Sequence, residues 1–249
     1  MARIFITGSA DGLGHLAAKA LIGLGHQVVL HARNAERAQE ALNKVPGAET
    51  VLTADLSNID ETKQLASKVN ALGTFDAVIH NAGLYYASAE ELFHVNTLAP
   101  YILTCLIEKP KRLIYLSSDM HEGGHSKLEG FKTGISQITY SDTKLHVLML
   151  CKAVARNWPQ VYANALNPGW VPTKMGGSGA PGDLKKGYET QVWLAVSNDE
   201  KAKVSGHFFY HQKEISYNRE ADEVLLQERF LSLCGEITGV SFQRVRINQ

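Results

Sequence analysis

An α/β fold in three layers is what this sequence predicts: a single α/β/α domain in which a parallel sheet of about seven strands is covered by helices on both faces. Two observations carry that expectation. Short β-rich runs alternate with segments of helical apolar spacing along nearly the whole chain. The strand candidates, RIFIT and FDAVIH among them, are also apolar at successive positions, as strands buried from both sides must be.

Residues 3–7 (RIFIT) form the first strand, followed by a helix over 12–25 (GLGHLAAKALIGLG) and a second strand over 26–32 (HQVVLHA), a βαβ unit. The alternation continues with a helix near 35–43, a strand at 50–53, a helix over 58–71, a strand at 75–80 and a helix near 89–107. RLIYLS (112–117) is the fifth strand, 140–158 a long helix and VYANALN (161–167) the sixth strand. Beyond Pro168 the text turns loop-like (GGSGAPGD, 176–183), then gives a helix near 187–196, a strand over 206–211 and a helix near 219–234. No linker, internal repeat or low-complexity tract divides residues 1–249, which read as one domain.

The 249 residues suffice for one α/β domain with a sizeable core. Lysine plus arginine equals aspartate plus glutamate at 25 each, so no net field draws the chain to nucleic acid or anionic lipid. Cys105, Cys151 and Cys234 are odd in number, far apart and set in apolar or helical text, which points to reduced thiols. MARIFITG runs straight into an apolar strand, and no window approaches 18 uninterrupted apolar residues, so a cytoplasmic protein that spans no membrane is expected.

Between the first strand and its helix lies TGSADGLG, residues 7–14, continuing as Gly12-x-Gly14-x-x-Ala17. Glycines in such a turn let the backbone come close to a pyrophosphate, which the free N–H groups and the dipole of the helix start stabilise. A Rossmann-like dinucleotide site follows, with Gly8, Ser9, Asp11, Gly12, Leu13 and Gly14 as candidate contacts. The tip of the second strand reads His31-Ala32-Arg33-Asn34. A carboxylate there would hold the ribose 2′-OH of NAD. Arg33, beside Asn34, can instead form a forked contact with the 2′-phosphate of NADP, to which Ser9 can add a hydrogen bond. NADP(H) is therefore expected over NAD(H).

Tyr140 and Lys144 open the long helix four residues apart, and so share a face about one turn apart. A phenol with a pKa near ~10 is a poor acid or base at neutral pH, and an adjacent ammonium is expected to lower that value. Residues 121–125 read HEGGH and match HExxH, the zinc-hydrolase pattern with His121 and His125 as ligands and Glu122 as base. That pattern works on a helix. Two central glycines, each costing about 1 kcal/mol there relative to alanine, read instead as loop, and no third ligand accompanies them. No metal site is expected. The segment is taken to border the substrate, within reach of His121 or His125.

In this order the motifs resemble the short-chain dehydrogenases/reductases, in the compact group with a T-G-x-x-x-G-x-G turn and a Y-x-x-x-K pair, over nearly the whole chain. The resemblance also rests on Asp55 in ADL, Asn81-Ala82-Gly83 after the fourth strand, Asn96, Ser118 ending the fifth strand, and Pro168-Gly169. It implies an alcohol/carbonyl oxidoreductase in which Tyr140 is the general acid/base and Ser118 hydrogen-bonds the substrate oxygen. Lys144 would hold the nicotinamide ribose and tune Tyr140, and Asn96 would anchor a proton-relay water. Asp55 and Leu56 would contact adenine, Asn81, Ala82 and Gly83 would pack along the adenosine ribose, and Val171 and Thr173 would meet the carboxamide. His80 stands where many relatives carry an asparagine.

SSDMH (117–121), YSDTKLHVLML, NPGWVPTKM (167–175) and QVWLAVS (191–197) are similar to the retinol-dehydrogenase and oxidoreductase-domain branch, many of whose members act on lipophilic alcohols or carbonyls. The resemblance implies substrate loops near 119–136 and 174–186, the latter a mobile lid. It also implies a homodimer or homotetramer built on the helices near 89–107 and 140–158. Two alternatives stand beside this function: an NADP(H)-binding sensor without turnover, whose expected mark is loss of the tyrosine or lysine, and the zinc hydrolase.

Overall fold

The computed structural model describes residues 1–244, so 245–249 of the expected single domain lie outside the described residues. β1 (Arg3–Ile6) leads into α1 (Gly12–Gly23), β2 (Gln27–Ala32), α2 (Ala35–Lys44), β3 (Thr50–Thr53), α3 (Ile59–Ala71) and β4 (Ala77–His80). Then come α4 (Ala89–Phe93), a π turn (His94–Leu98), α5 (Ala99–Leu106), β5 (Arg112–Leu116), α6 (Gly130–Thr133), α7 (Tyr140–Asn157) and β6 (Tyr162–Asn167). α8 (Leu184–Val196), β7 (Phe208–Tyr210), β8 (Lys213–Glu214) and α9 (Val224–Thr238) complete the fold.

The strands form one sheet in the order β3-β2-β1-β4-β5-β6-β7-β8, parallel throughout except that β8 pairs antiparallel with β7. After β3 the chain crosses to the other side of β1 and lays down β4. This reversal opens a crevice beyond the carboxyl ends of β1 and β4, where ligands of such sheets bind. The sheet has 8 strands where about seven were expected. The extra one is two residues long, formed where the chain folds back through His211 and Gln212 at φ 48° and 61°, too short to leave a β-rich run.

Strand alternation divides the core between two faces. Ile4, Ile6, Val28, Leu30, Ala77, Ile79, Ile114 and Leu116 face one layer, packed with Ala17, Ala18 and Leu21 of α1 and Leu194 of α8. Phe5, Val29, Val78, Leu113 and Tyr115 face the other, against Leu65 and Val69 of α3, Ile102 of α5 and Leu148 of α7. Each buried valine, leucine, isoleucine or phenylalanine among them contributes about 2 kcal/mol by leaving water.

The helix expected over 89–107 is interrupted. Pro100 has no N–H to donate to the carbonyl of residue 96, and the Ala99 N–H reaches back five residues to His94, which makes the π turn. The last helix starts at Val224 rather than near 219, after a 3₁₀ turn over Arg219–Asp222. Most apolar residues of α5 and α7 are buried within the chain. Tyr101 donates its hydroxyl to the Val240 carbonyl at 2.7 Å, and Phe131, His146 and Phe230 pack ring against ring between α6, α7 and α9.

Candidate active site

A crevice of about 480 Å³ opens over the carboxyl ends of the strands. Gly8, Asp11, Gly12, Leu13, Arg33, Asp55, Leu56, Asn81, Ala82, Gly83, Tyr140, Lys144, Pro168 and Thr173 all line it. The glycine turn is built for close approach. Gly8 and Gly12 have φ of 63° and 56°, where a side chain would be strained. A Cβ on Gly14 would overlap Asn81 Nδ2 and lie 2.8 Å from the Gly8 carbonyl. Asn81 Nδ2 donates to the Thr7 and Gly8 carbonyls at 2.9 and 3.1 Å, and the Ala82 N–H donates to Thr7 Oγ1 at 3.1 Å, tying the turn to the end of β4.

His31 holds the turn from the other side. Its Nδ1 accepts the Gly8 N–H at 3.0 Å, so Nε2 carries the proton and donates to the Ala54 carbonyl at 3.1 Å. Burial pushes this imidazole down to about 4, despite the opposing pull of the Ala54 carbonyl and of Asp55. Ser9, expected at the cofactor phosphate, is not available to it: buried, its hydroxyl donates to the Ile6 carbonyl at 2.9 Å and accepts the His31 N–H at 2.9 Å.

Charge gathers around the start of α1. Asp11 caps that helix by accepting the Gly12 N–H at 2.9 Å, and pairs with Arg37 at 3.1 Å and with Lys174. Burial works to raise the Asp11 carboxyl, but hydrogen bonds from Lys174, the Gly12 amide and Arg37 hold it well below the usual range. Arg33 is exposed on the crevice rim. Asn34, expected beside it at the phosphate, instead caps α2 by accepting the Arg37 N–H at 2.9 Å and does not line the crevice. Asp55 accepts both the N–H and the hydroxyl of Ser57, at 2.9 and 2.7 Å, beside buried Leu56.

α7 begins at Tyr140 because Thr139 and Asp142 cap each other. The Thr139 hydroxyl accepts the Asp142 N–H at 3.3 Å, and Asp142 accepts the Thr139 N–H at 2.7 Å. The Ser117 hydroxyl donates to the Lys144 carbonyl at 2.7 Å, and Lys144 Nζ donates to the Leu116 carbonyl at 2.9 Å, so the end of β5 fixes the helix and its ammonium. Lys144 Nζ stands 5.4 Å from the Tyr140 ring centre.

The expectation that the ammonium makes the phenol more acidic is corrected here. Burial raises Tyr140 to about 12, against a lowering influence of the neighbouring Ser118 hydroxyl, and burial lowers Lys144 to about 8. Low polarity disfavours the charged form of both groups.

Ser118 Oγ donates to Asp119 at 3.0 Å and accepts the Met120 N–H at 3.2 Å. Asn96 is buried in the π turn. It accepts the Leu84 N–H at 2.8 Å, returns a bond to the Leu84 carbonyl at 2.9 Å and donates to Thr143 Oγ1 at 3.1 Å. Its side chain therefore braces the loop after β4 against α7. Gly169 (φ 79°) bends the chain after β6, and Val171 is buried behind Thr173, its carbonyl accepting the Thr173 N–H at 2.8 Å. The loop beyond folds back on Trp170, whose Nε1 donates to the Gly176 carbonyl at 2.8 Å while its own carbonyl accepts the Gly182 N–H at 3.0 Å.

HEGGH does not form a helical pair of ligands. Residues 119–123 make a 3₁₀ turn. His121 is fully buried, with Nδ1 against the Ser118 carbonyl and Nε2 accepting the Asn218 N–H at 3.2 Å, so it does not reach substrate. His125 is exposed and pairs with Glu220 at 3.1 Å. His80 is also buried, stacked on Tyr115 at 4.8 Å and beside Thr104. Among the described residues no helix is long and apolar enough to cross a membrane, and the three cysteines are free and buried.

The sequence reading missed Arg37, Lys174, Ser117 and the Tyr85 ring, which stands perpendicular to Tyr140 at 4.6 Å. Arg37 sits one turn into α2, a spacing that could have flagged it. Lys174 and Tyr85 lie in loops whose path no periodicity reveals.

Residues 2–182 match the family described as short chain dehydrogenase. An uncharacterized oxidoreductase of Emericella nidulans is 49% identical over 96% of this chain and 98% of its own. Retinol dehydrogenase 13 of Homo sapiens is 26% identical over 98% of this chain and 86% of its own. A solved structure of a blue fluorescent protein from a metagenomic library, in complex with NADPH, superposes with a TM-score of 0.70 at 19% identity, covering 84% of this chain and 95% of that one.

Proposed function

Because the chain belongs to the short chain dehydrogenase family, near its retinol-dehydrogenase branch, we propose that this oxidoreductase interconverts an alcohol and a ketone or aldehyde with NADP(H), Tyr140 serving as general acid/base. One observation carries the reading: Tyr140 and Lys144 line the same crevice as the glycine turn and Arg33. The crevice suits a dinucleotide. Gly12 opens into it, with nothing closer to a Cβ there than Thr173 at 3.9 Å. Asp11 is paired with both Arg37 and Lys174, so the start of α1 can receive a pyrophosphate. Arg33 would take the 2′-phosphate. The NADPH held by the structurally similar blue fluorescent protein agrees with this choice.

When bound, the reduced cofactor supplies a hydride to the carbonyl carbon. Tyr140 gives its hydroxyl proton to the oxygen on which negative charge develops, and Ser118 Oγ, turning from Asp119, donates a hydrogen bond to the same atom. A phenol held at about 12 is protonated at neutral pH, as a donor must be. Lys144, lining the same crevice, would hold the nicotinamide ribose, and solvent returns the proton to the phenolate left behind. In the oxidative direction that phenolate removes the alcohol proton.

The test is a panel of ketones and aldehydes assayed by cofactor absorbance with NADPH and with NADH. Turnover faster with NADPH is expected. Tight NADPH binding with no turnover of any carbonyl would overturn the enzymatic reading in favour of a cofactor-binding sensor.

A further inference from the structure

Beside the reacting phenol lie two tyrosine rings that the proton chemistry does not use. The Asn96 amide clamps both the N–H and the carbonyl of Leu84, at 2.8 and 2.9 Å, which sets the direction of the next residue. Tyr85 is thereby laid against the catalytic ring: the Tyr85 and Tyr140 centroids are 4.6 Å apart with planes at 90°. Tyr86 continues the wall, 4.5 Å from Tyr85 at 75°, and is 85% exposed.

The loops after the next two strands carry further exposed apolar side chains. Met120, two residues past Ser118 at the end of β5, is 41% exposed, and Trp170 and Met175, in the loop after β6, are 63% and 43% exposed. β4, β5 and β6 are consecutive neighbours in the sheet, so the loops that carry these five side chains leave adjacent strand ends, and Met175 lines the crevice together with Tyr140. Large apolar side chains left exposed together at the mouth of a site mark a ligand surface. Rings held perpendicular to one another offer a face and an edge, which is how aromatic partners are received, and methionine adapts its thioether to a ring edge.

Resting on the oxidoreductase reading above, we infer that the substrates are planar aromatic carbonyls, or the matching benzylic alcohols, whose ring packs on Tyr85 and Tyr86 while the carbonyl group meets Tyr140 and Ser118. Tyr85 and Tyr86 are then specificity-determining residues. In the reductive direction an aryl ketone and NADPH, with one proton, give the benzylic alcohol and NADP⁺. The hydride goes to the carbonyl carbon and the proton to its oxygen, the ketone is reduced, and the cofactor is oxidised.

The experiment compares kcat/KM with NADPH for acetophenone and 2-acetonaphthone against cyclohexyl methyl ketone, a saturated ring of similar size. Aromatic contacts of this kind favour the flat substrates by about 10-fold. The ratio should fall toward one in Tyr85→Leu and in Tyr86→Leu, mostly through KM. Circular dichroism and NADPH affinity of each variant show whether it folds and binds cofactor.

Equal kcat/KM for the aromatic and saturated ketones would overturn the inference and leave the oxidoreductase reading standing. So would an aromatic preference that survives in both folded variants. NADPH binding without reduction of any carbonyl would overturn both together.

Discussion

His31 couples the cofactor turn to protonation in a way that can be measured. Its Nδ1 must be bare to accept the Gly8 N–H, and its Nε2–H is spent on the Ala54 carbonyl, so the folded protein binds the neutral imidazole. Burial takes the group from 6.5 to about 4, chiefly by desolvation. The folded pKa is depressed, so the stabilisation is fully present above pH 6.5 and is lost as pH falls from 6.5 toward 4, where the unfolded chain takes up a proton that the folded chain refuses. A gap of that size corresponds to about 3 kcal/mol in all, of which about 2 kcal/mol is gone by pH 5.

Two assays follow that loss. Urea denaturation at pH 7 and pH 5 should show it, enlarged by buried His146 and His80, which burial holds at about 4 and about 3. An NMR titration of the imidazoles isolates His31 and should find it neutral at pH 5. A His31 resonance titrating near the ordinary histidine value, with no fall in stability between pH 7 and 5, would refute the reasoning.

Other expectations follow from the same site. Arg33→Ser should weaken NADPH binding about 10-fold, the lower end for a charged phosphate contact because the side chain is exposed, and leave NADH binding nearly unchanged; fluorescence titration with both cofactors measures this. Gly14→Ala should lower stability by about 1–3 kcal/mol and weaken cofactor binding, because the new methyl displaces Asn81 and presses on the Gly8 carbonyl. Thermal melts with and without NADPH separate the two effects.

The layers, the parallel order and many residues of the crevice were legible because they rest on local patterns: apolar runs, a glycine turn after the first strand, and a tyrosine and lysine one helical turn apart. What escaped was set by partners distant in sequence. Ser9 looks like a phosphate ligand until β2 brings the His31 N–H to its hydroxyl. Asn34 looks like its neighbour Arg33, yet a residue at that place serves the first turn of α2. His121 was expected in a loop bordering the substrate because nothing near it in sequence announces Asn218, 97 residues away, which closes over it. The Tyr140 phenol was expected to be acidified because spacing shows the lysine but not the burial that outweighs it. Pro100 was the one legible sign of the broken helix over 89–107, its missing N–H falling four residues after Asn96.

The central claim is that the Tyr140 hydroxyl carries the proton while the rest of the crevice holds the cofactor. Tyr140→Phe keeps the ring beside Tyr85 and removes only the oxygen, so the most direct measurement is turnover by this variant alongside its NADPH affinity. The account predicts a loss of at least about 100-fold in kcat, the lower range for a general acid, with NADPH bound as tightly as by the unaltered protein. A variant that binds NADPH and still reduces carbonyls at an undiminished rate would contradict it.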